Sequence, residues 1–131
     1  MIASAFSASL LAMAVLPSAA GADPKAAAAA DSYFVVKLIP PRPAFATSMT
    51  GNERAVMDQH IAYWRAEMKS GKVLIFGPVR DPAGVYGLMI LRASGEAEAR
   101  ELISNDPAVL GGIGMRPEIH PFIESIVGGG N

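Results

Sequence analysis

Two apolar segments that lie close together in the chain most constrain what it can fold into. Residues 72–76 and 85–91 are runs of apolar residues, and the segment between them carries Asp-Pro and glycine, which is typical of a turn. We expect the two runs to pair as a β-hairpin. Because side chains alternate across a strand, this hairpin must present apolar residues on both faces of its sheet. One layer of helices covers only one of those faces.

The segments on either side of the hairpin predict a strand and a helix before it and a helix and a strand after it. Residues 33–39 are β-branched and aromatic, and prolines end them. Thr50 and Glu53 have the spacing of a capping box, which predicts a helix that ends at Gly71. Ser94 is expected to cap a second helix that ends near Asn105. Asp106-Pro107 is expected to begin a short extra turn, and residues 118–124 alternate as a last strand.

The order β-α-β-β-α-β predicts an α+β, ferredoxin-like fold: a four-stranded antiparallel sheet with both helices on one face. The uncovered apolar face predicts a homodimer in which two sheets stack. A ligand pocket is expected between sheet and helices.

The N-terminal segment has the pattern of a secretory signal. Residues 1–22 have no charged side chain, residues 10–16 are apolar, and Ala20-Gly21-Ala22 satisfies the small-x-small rule for cleavage before Asp23. Pro17 and Gly21 interrupt the run before it reaches the roughly 20 residues of a membrane span. We expect a signal peptide at 1–22, a linker at 23–32, the folded domain at 33–127 and a disordered tail at 128–131. The mature protein is then periplasmic or secreted, without a membrane anchor; without the signal it is cytoplasmic.

Composition removes several classes of function. The net charge of -1 leaves no basic footprint for nucleic acid, and the absence of cysteine excludes disulfides and a thiol nucleophile. The sequence has no glycine-rich phosphate loop after a strand and no Gly-x-Ser-x-Gly elbow. We therefore expect no cofactor.

His60 and Asp106 each allow two interpretations. His60 lies at the edge of a predicted apolar stripe formed by Met57, Ile61, Trp64 and Met68. It either exchanges protons near neutral pH, with a carboxylate fixing its tautomer, or is a satisfied core histidine. Asp106 precedes Pro107, as an N-cap would, and Asp81 precedes Pro82 in a turn. His60, His120 and Glu118 are chemically suitable metal ligands, but their spacing does not require a metal, and none is predicted.

Residues 33–124 resemble the YciI-like, or YCII-related, proteins of the dimeric α+β barrel group. The resemblance rests on the order and spacing of short motifs: His60 within residues 58–64, Gly71 before the strand that ends in Phe76-Gly77-Pro78, Asp81 and Gly84 before Tyr86, Asn105-Asp106-Pro107 followed by Gly111, and residues 118–121.

The resemblance implies a His60–Asp106 dyad in a pocket near the dimer interface. Asp106 would orient and stabilise protonated His60, which would act as general acid/base on a small organic molecule, in a lyase or isomerase type of reaction without a cofactor. From charge and position we expect Arg116 and His120 to hold a substrate carboxylate, with Trp64 also at the substrate.

The alternative is a non-catalytic dimeric module that binds a small apolar molecule or serves in assembly. The enzyme requires His60 and Asp106 in hydrogen-bond contact beside an open pocket. The structural role predicts Asp106 capping its own helix and His60 sealed by Trp64.

Overall fold

The computed structural model describes residues 31–128. The predicted signal peptide at 1–22, the linker up to residue 30 and tail residues 129–131 lie outside this range. The described chain forms four strands and four helices, in this order: β1 (Ser32–Ile39), α1 (Phe45–Ser48), α2 (Gly51–Lys69), β2 (Val73–Val79), β3 (Tyr86–Ala93), α3 (Glu96–Ser104), α4 (Pro107–Leu110) and β4 (Arg116–Pro121).

The strands form one antiparallel sheet in the order β2-β3-β1-β4. The predicted hairpin is the β2–β3 pair, and the α+β, ferredoxin-like fold is confirmed. β2 and β4 are the edge strands and hold the sheet's prolines: Pro78, Pro117 and Pro121. Proline lacks a backbone N–H, so it is tolerated where one side of a strand has no neighbour.

The core lies between the helices and one face of the sheet. Phe34, Val36 and Leu38 alternate along β1 as buried residues, and Met89 and Leu91 stand opposite them on β3. Their neighbours in sequence point to the other face, where Val35 pairs with Ile90 and Lys37 with Leu88, all partly exposed. The sheet therefore has a buried face and an open face.

A β-bulge changes which residues of β2 join the core. Strict alternation places Val73 on the same face as Ile75, Leu88 and Ile90, but that expectation is wrong. The register shifts between Val73 and Ile75, so Val73 pairs with Leu91 on the buried face while Leu74 and Ile75 are both exposed. An extra residue on one strand reverses the alternation beyond it.

The long helix α2 begins as predicted but buries a different stripe. Thr50 accepts a hydrogen bond from the Glu53 N–H and Glu53 accepts one from the Thr50 N–H, which completes the capping box. Ile61 and Met68 are 37% and 38% exposed, whereas His60 and Trp64 are buried. His60 is therefore inside the packed face and not at its edge.

Several features of the elements differ from the sequence prediction. Helix α1 lies between the prolines that end β1 and the capping box of α2, where no helix was predicted, and Phe45 is buried there. Ser94 does not cap α3: its N–H and hydroxyl donate to Glu98, and Gly95 occupies the cap position. β4 ends at Pro121, so residues 122–124 lie outside the strand. No helix within residues 31–128 is long and apolar enough to cross a membrane.

Candidate active site

His60 and Asp106 meet in the core although 46 residues separate them in the sequence. Helix α2 supplies His60, and Asp106 is the N-cap residue of α4. Nδ1 of His60 lies 2.8 Å from Oδ1 and 2.9 Å from Oδ2 of Asp106. His60 is 7% exposed and Asp106 is 0% exposed, so the carboxylate is shielded from water and a small part of the imidazole is not.

Asp106 accepts two further hydrogen bonds. The indole Nε1–H of Trp64 donates to Oδ2 at 2.8 Å, and the backbone N–H of Ala108 donates to Oδ1 at 2.8 Å. With Nδ1 of His60, three nitrogen atoms lie within hydrogen-bond distance of the carboxylate, which in its ionised form only accepts. The proton shared with His60 is therefore carried by Nδ1, and neutral His60 presents a lone pair at Nε2. Asp106 has both of the contacts that its sequence context suggested: it caps α4, and its carboxylate lies against His60.

Tyr63, the neighbour of Trp64, fixes α2 against α3. Its hydroxyl donates to the backbone carbonyl of Leu102 at 2.7 Å, and its ring meets the Trp64 ring edge-on with centroids 4.9 Å apart. Burial, followed by the negative charges of Glu67, Asp106 and Glu101, raises the pKa of Tyr63 to about 12. Tyr63 therefore joins α2 to α3 and packs against Trp64.

A cavity of about 380 Å³ opens beside His60. His60 lines it, whereas Asp106 and Trp64 do not, since both are fully buried behind the imidazole. The hydrogen bonds of His60 within the described chain involve Nδ1 alone, and no fully buried side-chain nitrogen or oxygen there lacks a partner. Nε2 is therefore not sealed in the core. Most of the cavity wall is apolar, with Leu38, Phe45, Met49, Met57, Phe76, Met89 and Met115 among its residues.

The segment before α2 forms one side of the cavity. Phe45, Ala46 and Met49 line it, and an ion pair fixes their position: the Arg42 guanidinium donates to both carboxylate oxygens of Glu53, at 2.7 and 2.8 Å. Arg42, followed by the Thr50 backbone N–H, lowers the pKa of Glu53 to about 2. The capping box of α2 is thus also the attachment point of the cavity wall.

Arg54 and Asp58 are exposed and also line the cavity, so they lie where the cavity meets solvent. With His60 and Trp64 packed inward, Met57 and Ile61 turn towards the cavity and bring their charged neighbours to its wall. The lining residues of α2 other than His60 follow the i, i+3, i+4, i+7 spacing from Arg54 to Ile61, which places them along one side of the helix.

Arg116 and His120 lie elsewhere. Both are exposed residues of β4, paired in register with Ile39 and Val35, which places them on the open face of the sheet. Arg116 donates to Glu118 at 2.5 Å, which lowers the pKa of that carboxylate. Within one chain the sheet separates them from His60, so their role at a substrate stays a prediction.

The candidate metal ligands are divided in the same way. His60 lies on the side of the sheet that the helices cover, whereas His120 and Glu118 lie on the open face. Across residues 31–128 no three histidine, cysteine or acidic side chains are grouped as they would be around a metal ion.

Comparison with known proteins agrees with this fold. The family model of the YCII-related domain matches residues 33–123, more than half of the chain, and the match includes both His60 and Asp106. No curated protein matches the sequence. The chain belongs to the family of proteins with a YCII-related domain.

Proposed function

We propose that the protein is a cofactor-free acid/base enzyme of lyase or isomerase type, acting on a small organic molecule through His60 and Asp106. The observation that carries the proposal is the two-sided placement of His60. Its Nδ1 is held by a buried carboxylate while the same ring lines an apolar cavity. A general base needs a fixed tautomer and an accessible nitrogen, and this arrangement provides for both.

In the proposed reaction, Nε2 of neutral His60 removes a proton from the substrate. Asp106 stabilises the imidazolium that results, at a distance of 2.8 Å. The imidazolium then returns the proton to another atom of the substrate, which gives an isomerisation, or protonates a departing group, which gives an elimination. The apolar cavity wall limits the water that competes for the proton.

The experiment is a turnover screen with matched variants. The full chain is incubated with a panel of small lactones, β-substituted carbonyl compounds and halogenated phenols, and products are measured by mass spectrometry. Positioned proton transfer contributes about 10²–10⁴-fold, so His60→Gln should lose at least about 100-fold in kcat. Gln59→Ala, an exposed change next to His60, is the control and should keep full activity. Activity that survives His60→Gln would contradict the proposal.

A non-catalytic binding module is the second candidate. It is favoured by the structural hydrogen bonds that Asp106 accepts besides its contact with His60. The carboxylate caps α4 and accepts from Trp64, so the site has a structural use without any reaction. A binder predicts compounds that raise the melting temperature by mass action but are never converted, and His60→Gln would then leave that thermal shift in place.

We propose in addition that a second copy covers the open face. Val35, Leu88 and Ile90 are partly exposed there, and Ile75 is 60% exposed at the β2 edge. Stacking two such faces removes apolar surface from water on both copies. Light scattering should give the mass of a dimer, and Ile75→Glu should shift it to a monomer. A stable monomer at micromolar concentration in the unmodified protein would refute the dimer.

Export is a further proposal, supported by the uncharged, apolar pattern of residues 1–22. N-terminal sequencing of the protein recovered from a bacterial host should begin at Asp23. A start at Met1 would contradict the signal peptide.

A further inference from the structure

Arg54 is an exposed cation at the cavity wall that has no ion-pair partner among residues 31–128. Four arginines lie within 4 Å of a carboxylate: Arg42, Arg92, Arg100 and Arg116. Arg65 and Arg80 have no ion pair in the described chain either, but neither lines the cavity. Arg54 makes no ion pair and no side-chain hydrogen bond within residues 31–128, yet it lines the same apolar cavity as His60. A guanidinium has five donors in a rigid fork that matches a carboxylate.

Helix stability does not account for an arginine at this position. Arg54 directly follows the capping box, in the first turn or so of α2. The helix dipole favours negative charge at that end, and a cation there is mildly unfavourable. Glu53, the adjacent carboxylate, is already engaged by Arg42 and by the Thr50 N–H. Because no side chain of residues 31–128 engages Arg54, it can contact a molecule in the cavity.

We propose that Arg54 binds the carboxylate of the substrate, so that the substrate class is a small monocarboxylic acid with an apolar body. This inference rests on the proposed function, because it orients the substrate towards His60. Arg54 lies six residues before His60, which is about 9 Å along a helix axis. Met57 lies between them and lines the cavity. The acid group is then held at one end of an apolar surface and the reacting atoms at the other.

Asp58 restricts the ligand further. It also lines the cavity, one helical turn after Arg54, and no ion pair joins the two side chains in the described chain. A second negative charge on the ligand would be repelled by this carboxylate. The cavity therefore suits one carboxylate and not two, and the other wall residues named above add only apolar surface.

The experiment compares matched acids and amides by isothermal titration calorimetry on the full chain. The probes are phenylacetate, 3-phenylpropionate and hexanoate, each against its primary amide. The unmodified protein should bind at least one acid about 10-fold or more tightly than its amide. Arg54→Gln should remove that preference, Arg54→Lys should retain part of it, and Asp58→Asn should leave it equal or larger. Arg65→Gln is the matched control, since Arg65 is exposed on the same helix and does not line the cavity.

The outcomes separate this inference from the proposed reaction. An acid preference that persists in Arg54→Gln overturns the inference, and so does a panel in which no acid binds or acids and amides bind equally. An acid preference that depends on Arg54 supports it even if the turnover screen finds no reaction, in which case only the acid/base function fails. His60→Gln should keep the preference, because His60 is not the carboxylate anchor.

Discussion

The tripeptide Asp-Pro-Ala occurs twice in this chain, at residues 81–83 and 106–108, and the two copies have different surroundings. In both, Oδ1 of the aspartate accepts a hydrogen bond from the alanine N–H two residues later, at 2.8 Å. The first copy is exposed in the β2–β3 loop, and the second is buried against α2. The local bond is the same, so it is packing that distinguishes a turn former from a candidate catalytic group.

The residues that follow each copy direct the chain differently. After Ala83 comes Gly84 at a φ of +131°, which ends the turn and sends the chain into β3. After Ala108 the chain completes α4, with Val109 and Leu110 donating to the Asp106 carbonyl. Only the second aspartate therefore sits at a helix end that packs on His60 and Trp64.

The largest expected effect tests this difference directly. Asp106→Asn places an amide N–H against the N–H groups of His60 or Trp64, so at least one buried donor loses its acceptor. We expect a loss of about 3 kcal/mol in the free energy of unfolding, measured with urea. Asp81→Asn is the matched control and should change it by less than about 0.5 kcal/mol. Equal effects at the two sites would show that the buried contacts add nothing to the cap.

The next largest effect sharpens the role of Trp64. Trp64→Phe removes one of the three donors to Asp106 and leaves the aromatic packing largely filled. We expect a loss of about 2 kcal/mol in the free energy of unfolding. His60 should keep its proton on Nδ1, as read from nitrogen chemical shifts in NMR. A change to the Nε2–H tautomer would mean that Trp64, and not Asp106 alone, fixes the ring.

A smaller effect is expected at the other side-chain-capped helix. Thr50→Ala removes the acceptor for the Glu53 N–H at the surface, and we expect a loss of about 1 kcal/mol in the free energy of unfolding. Thr47→Ala is the control, since Thr47 is exposed on α1 and donates only to a nearby carbonyl. A loss at Thr50 as large as at Asp106 would remove the distinction between exposed and buried caps.

The pH dependence of stability gives milder tests, of which the first concerns Glu53. Its pKa is about 2 in the folded protein, below the ordinary value of 4.5, because of Arg42 and Thr50. The stability that it contributes is complete above pH 4.5 and is lost as the pH falls towards 2. Urea midpoints measured over this range should fall less steeply in Glu53→Gln than in the unmodified protein. Parallel curves would contradict the assigned pKa.

Tyr63 should make the stability depend on pH in the opposite direction, with a loss as the pH rises. The raised pKa of Tyr63, about 12, means that the folded state holds its proton after the unfolded chain has lost it at about 10. Its contribution is complete below pH 10 and is lost as the pH rises towards 12. In Tyr63→Phe the urea midpoint should fall less steeply between pH 10 and pH 12 than in the unmodified protein. Tyr33→Phe, at a tyrosine on the open face, is the control.

Short-range signals predicted the elements well because they depend on neighbouring residues. The capping box at Thr50 and Glu53, the hairpin around Asp81 and the short turn after Asp106 are each specified within a few positions. Ser94 failed as a cap because Glu98, four residues later, takes up its hydroxyl and N–H. The bulge after Val73 could not be read from alternation, since it depends on the partner strand.

Some features of the candidate site could likewise be predicted from the sequence, and others could not. The sequence by itself determined the residue types, the α+β order of elements and the two aspartates that precede proline. The resemblance to the family pointed to His60 with Asp106. Only the tertiary structure decided that α2 turns His60 inward with Trp64, that Arg54 joins the cavity wall, and that Arg116 and His120 lie on the opposite face. A rotation of a helix or a shift of strand register is set by packing between distant segments, and no local pattern records it.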